Sequence, residues 1–501
     1  MESIAGSAES SALRAHVSST TDDVYAITNL PEEVIAVVFA YVSRSPKSFR
    51  DNLLAVTEEK AGRFHEKWVL DYGHGSVAEH AAVHLGVERI SRYASAVLEA
   101  SRLVSVTEYS QRYQRPSRGD YVTPPGLEET GLANRFHRLQ HDTFDCYERL
   151  FDGLHAHLLR NGTRHEGESD AAFSRRMEKL AFEDARYALT LAVHTNLGLT
   201  ANARTLEQMV SRLLSEDSPE SRALGESMRD AARTVAPTLL KYAMPNEARK
   251  AAAALCQDFA ARLDSPDVPG TDPVAELAAY TGENTPDPEG WALERVLEAA
   301  LTPSWRGTLG DLADALTTLP RREAFSAYRE LLTSTGPHDS TPRALEEVSY
   351  AFRITLSEAA WHQFLRHRMM SLHAAAPDTT VGITVPPAVQ DAGLTDTLRA
   401  AIEPAEVLHR ELQDRDPRLA PYAVTNAHHR RIRARLNLRQ FHHIANLRLD
   451  SSAQWDIRNV VVRMRDSIAE VHPRLCVHAR ARKDEARREM EPAATSPDSA
   501  R

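Results

Sequence analysis

Residues 361–380, WHQFLRHRMMSLHAAAPDTT, set Arg366, His367 and Arg368 in succession directly behind Trp361, Phe364 and Leu365. That concentrates positive potential at one point, the chemistry of an anion site. The planar arginine fork makes paired, charge-assisted hydrogen bonds to phosphate or carboxylate. A helix that merely ends in basic residues accounts for such a tripeptide as well, because the helix dipole favours cations at its C-terminus. The histidine doublets His428-His429 and His442-His443 have ligand chemistry too. Neighbouring residues on a helix point about 100° apart, so one doublet cannot clamp one ion. Cys146, Cys256 and Cys476 are far apart and form no C-x-x-C pair. Neither a metal site nor a disulfide framework is expected.

The elements that must position these groups come in two copies. ISRYASAVLEASRLVS (90–105) aligns with LSEAAWHQFLRHRMMS (356–371), and LTANARTLEQMVSRLL (199–214) with ARLNLRQFHHIANLRL (434–449). Ser91 meets Ser357, Arg102 meets Arg368, Asn202 meets Asn437, and Arg204 meets Arg439. The order is the same in both halves, which marks an internal repeat. Most of these segments read as helices. In the second copy Leu438, Phe441, Ala445 and Leu449 make the apolar face, and Arg439, His443 and Asn446 a polar stripe. DYVTP (120–124), VGITVPP (381–387), AAVHLGVE (81–88) and VSYAFRIT (348–355) read as short strands.

The 501 residues suffice for several domains. The divisions expected are a disordered lead-in (1–24), an N-terminal domain (25–263), a Pro- and Asp-rich linker (264–292), a C-terminal domain (293–481) and a disordered tail (482–501). No apolar run is long enough to span a membrane. The net charge of −10 disfavours nucleic acid as a partner. The sparse cysteines suit a cytoplasmic protein.

The Arg-His-Arg-x-x-Ser pattern of 366–371 resembles the signature of the flavin-dependent thymidylate synthases, the ThyX family. The neighbouring motifs of that family are present, but divided. The first half carries GHGSVAEH (73–80) and SQRY (110–113), with Ala100-Ser101-Arg102 at the Arg-His-Arg position. The second half carries RHRMMS, NLR (437–439) and NLRLDSSAQWDIR (446–458). It has Ala376-Pro377-Asp378-Thr379 in place of Ser-x-Arg-Tyr, and keeps Glu346 of the upstream motif. The resemblance covers roughly 50–245 and 325–475 and implies an α+β fold of two tandem ThyX-like domains, helix-rich around small sheets.

It also implies FAD as cofactor, NADPH as reductant, methylenetetrahydrofolate as one-carbon donor, and dUMP or a related nucleotide as substrate. FAD would meet His74, Ser76, Glu79, Arg366, His367, Arg368, Asn437, Arg439 and His443. The nucleotide would meet Ser110, Gln111, Arg112, Arg186 and Arg448. Arg366, His367, Arg368 and Arg448 would form the catalytic group. Since each half lacks what the other keeps, composite sites are expected, in a homodimer equivalent to a four-domain body. The alternative is a decayed paralogue that binds flavin or nucleotide as a sensor or scaffold.

Overall fold

A computed structural model of the chain describes residues 13–481, except 44, 72–74, 264–272, 334 and 336–338. Each half is built on a small antiparallel sheet. In the first, β1 (Ala82–Ser91), β2 (Val104–Glu108) and β3 (His194–Asn202) lie in the order β1-β3-β2. In the second, β4 (Val274–Tyr280), β5 (Ser349–Ser357), β6 (Ser371–Ala374) and β7 (His429–Asn437) lie in the order β4-β5-β7-β6. Strand β7 shows why these segments are strands. Ile432, Ala434 and Leu436 are buried while Arg431, Arg433 and Arg435 are exposed, the period-two alternation of a half-buried sheet. The rest is mainly helical, so the α+β, helix-rich architecture expected from sequence is the one observed.

Repeated residues close the same local structures in both halves. Ser91 and Ser357 cap the helices Arg92–Glu99 and Glu358–Phe364, accepting from Ala94 N at 2.9 Å and Ala360 N at 3.0 Å. Asn202 and Asn437 cap Ala203–Leu214 and Leu438–Arg448, each accepting the third amide of its helix at 2.8 Å. A side-chain oxygen at that position satisfies one of the free amides of the first turn.

The halves pack about a pseudo-two-fold at their centre. Thr190 pairs with Thr425 in an isolated bridge, Leu191 N donates to Val424 O at 2.8 Å, and Asn426 N donates to Leu189 O at 2.9 Å. Around this seam Phe144, Leu150 and Tyr187 of the first half share a core with Ala359, Leu398 and Ile402 of the second.

Several expectations are corrected. Part of the linker is structural: β4 lies inside it and pairs with β5, since Val274–Tyr280 can extend the second sheet by one edge strand. The lead-in is ordered from Leu13, which is buried with Val17, and Val17 pairs with Ile27. Residues 1–12 and 482–501 lie outside the described residues. DYVTP and VGITVPP supply only the single bridges Tyr121–Val193 and Ile383–His428. The residues before Ala203 and Leu438, where no strand was expected, are β3 and β7. His428 and His429 therefore belong to a turn and a strand start. His428 Nδ1 lies 2.8 Å from Thr425 Oγ1, and His429 Nε2 lies 2.8 Å from Thr384 Oγ1.

Candidate active site between the two halves

The Arg-His-Arg segment is not the end of a helix. The helix Glu358–Phe364 is capped at Leu365, and β6 begins at Ser371, so Arg366, His367 and Arg368 occupy a helix-to-strand turn. In the first half the matching turn leads into β2, and Ser110–Arg112 follow β2 directly. The pseudo-two-fold then brings Ser110–Arg112 of the first half to Arg366 and Arg448 of the second, within one chain.

Arg366 Nη2 donates to Glu108 Oε2 at 3.0 Å. Glu108 also pairs with Arg92 and accepts from Thr195 Oγ1 at 3.0 Å. Burial pushes this carboxyl up, but Arg92 and Arg366 outweigh it and hold it below the usual range. Arg448 Nε donates to His367 Nε2 at 3.0 Å, and its Nη2 to Gln363 O at 3.0 Å. Burial and the nearby Arg366 and Arg112 bring Arg448 down to about 10. Burial, Arg448 and His443 hold His367 well below the usual histidine value. His367 is thus a neutral acceptor whose ring lies 6.1 Å from that of His443.

From the first half, Arg112 donates to Glu183 Oε1 at 2.7 Å through Nε and to Ser452 O at 3.2 Å through Nη2. Ser110 Oγ accepts from Arg112 N at 3.3 Å. Arg186 is buried, with Nε donating to Glu183 O at 3.2 Å. Gln111 is buried beside Asn426, whose Nδ2 lies 3.5 Å from Gln111 Oε1. Three buried polar atoms here have no partner among the described residues: Gln111 Nε2, Arg186 Nη2 and Gln363 Oε1. Unpartnered buried donors and acceptors beside clustered cations are the complement of a bound polar anion. Tyr187 and Trp455 stack next to them, with ring centroids 6.0 Å apart and planes 16° apart.

The expected flavin group is divided. Arg366 and His367 face the cluster just described. Arg368 enters a separate cleft between the halves, beside Arg102. Arg439 donates to Glu346 Oε1 and Thr341 O at 3.0 and 2.8 Å. Glu79, the third residue of the short helix Val77–His80, forms the equivalent pair with Arg204 of its own half. Neither Glu79 nor Arg439 reaches across the seam, because each pair closes its own sheet edge onto its own helix. His74 lies outside the described residues. Asn437 spends its side-chain oxygen on the helix cap.

Sequence reasoning missed Glu108, Glu183 and Gln363. Each stands two or three residues before a recognised position, Ser110, Arg186 and Arg366 respectively. For Glu108 and Glu183 the available signal was a carboxylate beside an arginine-bearing motif.

The site thus consists of phosphate-type donors from one repeat facing an arginine–histidine group from the other. The chain belongs to the family described as "Thymidylate synthase complementing protein", whose sequence pattern matches residues 24–238 and again 294–474. The two matches make it a tandem duplication of ThyX-like units. A "UPF0159 protein" of Chlamydia muridarum is 24% identical over 491 residues, covering 91% of each chain. A "Flavin-dependent thymidylate synthase" of Sulfolobus acidocaldarius is 32% identical over 220 residues, covering 43% of this chain and 73% of its own. That of Clostridium tetani is 28% identical over 218 residues, covering 43% and 83%. Among solved structures, a UMP/dUMP methylase PolB from Streptomyces cacaoi bound with 5-Br dUMP aligns with a TM-score of 0.35 and 18% identity, over 43% of this chain and 98% of its own.

Proposed function

We propose that the chain is a flavin-dependent methylase of a uracil nucleotide, transferring a one-carbon unit from methylenetetrahydrofolate to C5 of dUMP or a close relative. The observation that carries this reading is the convergence of Ser110, Gln111, Arg112 and Arg186 with Gln363, Arg366 and Arg448, beside three orphaned buried polar atoms. Arg112 and Arg186 hold the phosphate, with Glu183 releasing or sharing Arg112 as it enters. Gln363, Arg366 and Arg448 orient the base. Neutral His367 fixes Arg448 by accepting from its Nε. Tyr187 and Trp455 wall the site against water.

The residues suit FAD in charge and hydrogen bonding. Arg439, His443 and Asn446 share one face of their helix, and Asn446 Oδ1 is buried without a partner among the described residues. Arg366, His367, Asn437, Arg439 and His443 would hold the cofactor from the second half, while Arg368 faces the separate cleft. His74, Ser76 and Glu79 would come from another chain, in a cytoplasmic homodimer of four ThyX-like units. When bound, FAD charged by NADPH supplies the reducing equivalents, the part of the chemistry no side chain here can perform.

A second reading, a decayed paralogue serving as a sensor or scaffold, is favoured by one observation: Arg366 and Arg112 are already paired with Glu108 and Glu183. Product analysis by mass spectrometry decides between them. Full-length protein reconstituted with FAD is given NADPH, methylenetetrahydrofolate, and dUMP or UMP. A methylated nucleotide is expected. Tight nucleotide binding with no product and no deuterium exchange at C5 would establish the second reading.

A further inference from the structure

The pseudo-two-fold that builds the composite site generates a counterpart on the other side of the seam. There the first half supplies Val97 and Ala100 where the composite site has Gln363 and Arg366, and the second half supplies Ala374 where it has Glu108. The Ser-x-Arg position holds Ala376-Pro377-Asp378. A copy that had simply lost its ligand would be expected to fill with apolar side chains. Instead a cleft of about 370 Å³ remains, and Arg102, Arg212, Arg368 and Arg430 line it. Two of these are additions: Arg212 and Arg430 stand where the composite site has Leu447 and Thr195.

Arg430 is buried, donates to Glu358 at 2.7 Å and lies 5.2 Å over the Trp361 ring. Arg102 donates to Ser371 Oγ at 3.0 Å. Arg212 donates to Val97 O at 2.6 Å. Arg368 Nη1 and Arg212 Nε are buried with no partner among the described residues. The acidic groups of the cleft are Glu99 and Glu216, with Glu358 committed to Arg430. Burial, with Glu108 nearby, pushes Glu99 up to about 7. Four guanidiniums therefore face fewer ionised carboxylates, with donor capacity left over.

We propose that this cleft is a second ligand site, remodelled from the lost nucleotide site to take a small phosphorylated anion, one per chain. It is separate from the composite site and does not depend on that site being catalytic. Seated against helix Arg92–Glu99 and the Arg366–Arg368 turn, its ligand would touch the turn that carries the composite site's own arginine. The composite site would then respond to occupancy of the cleft.

Inorganic pyrophosphate is the probe, titrated calorimetrically into the full-length protein with and without saturating dUMP. One pyrophosphate per chain should bind with dUMP present. Its affinity should fall about tenfold in Arg102→Gln, the loss of one charged contact. It should fall similarly in Ala374→Glu, which adds a carboxylate to the wall without removing a contact. Both variants should melt as wild type does. With dUMP saturating, Arg112→Ala should leave the pyrophosphate isotherm unchanged. No pyrophosphate binding under saturating dUMP would overturn the proposal. So would an isotherm that Arg112→Ala abolishes, or that neither Arg102→Gln nor Ala374→Glu alters. Failure of dUMP to bind would count against the proposed reaction alone, because the dependence on Arg102 still reads the cleft.

Discussion

The Tyr187 hydroxyl, in the first half, donates to Asp456 Oδ2, in the second, at 2.7 Å. The repeat-related Tyr422 hydroxyl returns the contact, donating to Glu220 Oε2 in the first half at 2.7 Å. Each carboxylate also accepts from the serine that caps the neighbouring helix, Ser357 and Ser91. The two halves are therefore bolted together by exchanged, buried, charge-assisted hydrogen bonds, and the composite site lies beside one of them.

Tyr187→Phe should destabilise the chain by about 1–3 kcal/mol, because it leaves a buried carboxylate short of a donor. Tyr422→Phe should cost a similar amount on the other side of the seam. Tyr187→Phe should in addition weaken nucleotide binding, since Gln454 Nε2 donates to the same hydroxyl at 3.0 Å next to the site. Urea unfolding and nucleotide titration of both variants check this. Equal effects on binding would show that the seam acts only through overall stability.

Arg112→Ala and Arg448→Ala should each weaken dUMP binding by roughly 10- to 150-fold, the loss of one charged contact of about 1.5–3 kcal/mol. Asp378→Ala, at the position matching Arg112 in the second half, should change it little, because Asp378 turns back onto Thr380 N at 2.9 Å. Equilibrium dialysis with labelled dUMP distinguishes the three. A comparable loss in Asp378→Ala would mean that both sides of the seam bind nucleotide.

Saturation should occur at one dUMP and one FAD per chain, in a particle of twice the chain mass. Absorbance of released flavin and light scattering give both numbers. Two equivalent flavins per chain would mean that each half holds an independent site.

Asp184 accepts from Trp455 Nε1 at 2.8 Å, and burial, with Glu183 beside it, pushes its carboxyl up to about 7. Unfolded, it titrates near the ordinary value of about 3.9. Between those values the folded chain holds the extra proton, so this group's contribution to stability is present at low pH and is lost as pH rises through about 7. Asp184→Asn keeps an acceptor for Trp455 and removes that slope. The stability of the variant relative to wild type should rise from pH 4 to pH 7 and then level, by on the order of a few kcal/mol. Urea unfolding across that range measures it. A flat difference would mean that the carboxyl is ionised in the folded chain throughout.

The sequence by itself determined the family, the duplication and which motif each half had kept. Those depend on residue identity and spacing along the chain, which repeats preserve. It also determined the helix Leu438–Arg448 and strands β1 and β5, whose apolar periodicity is local. It left β3 and β7 unrecognised. Both alternate apolar residues with Asn, Gly, Thr or Arg in a way that only pairing with β1 and β5 explains. Tertiary structure alone decided that Arg366 and Arg368, two residues apart, serve opposite sides of the seam, because their turn carries the chain from helix to strand. It also decided that Ser110–Arg112 and Arg366 meet within one chain. That meeting depends on the pseudo-two-fold packing of the halves, a contact between residues some 250 apart that no local pattern encodes.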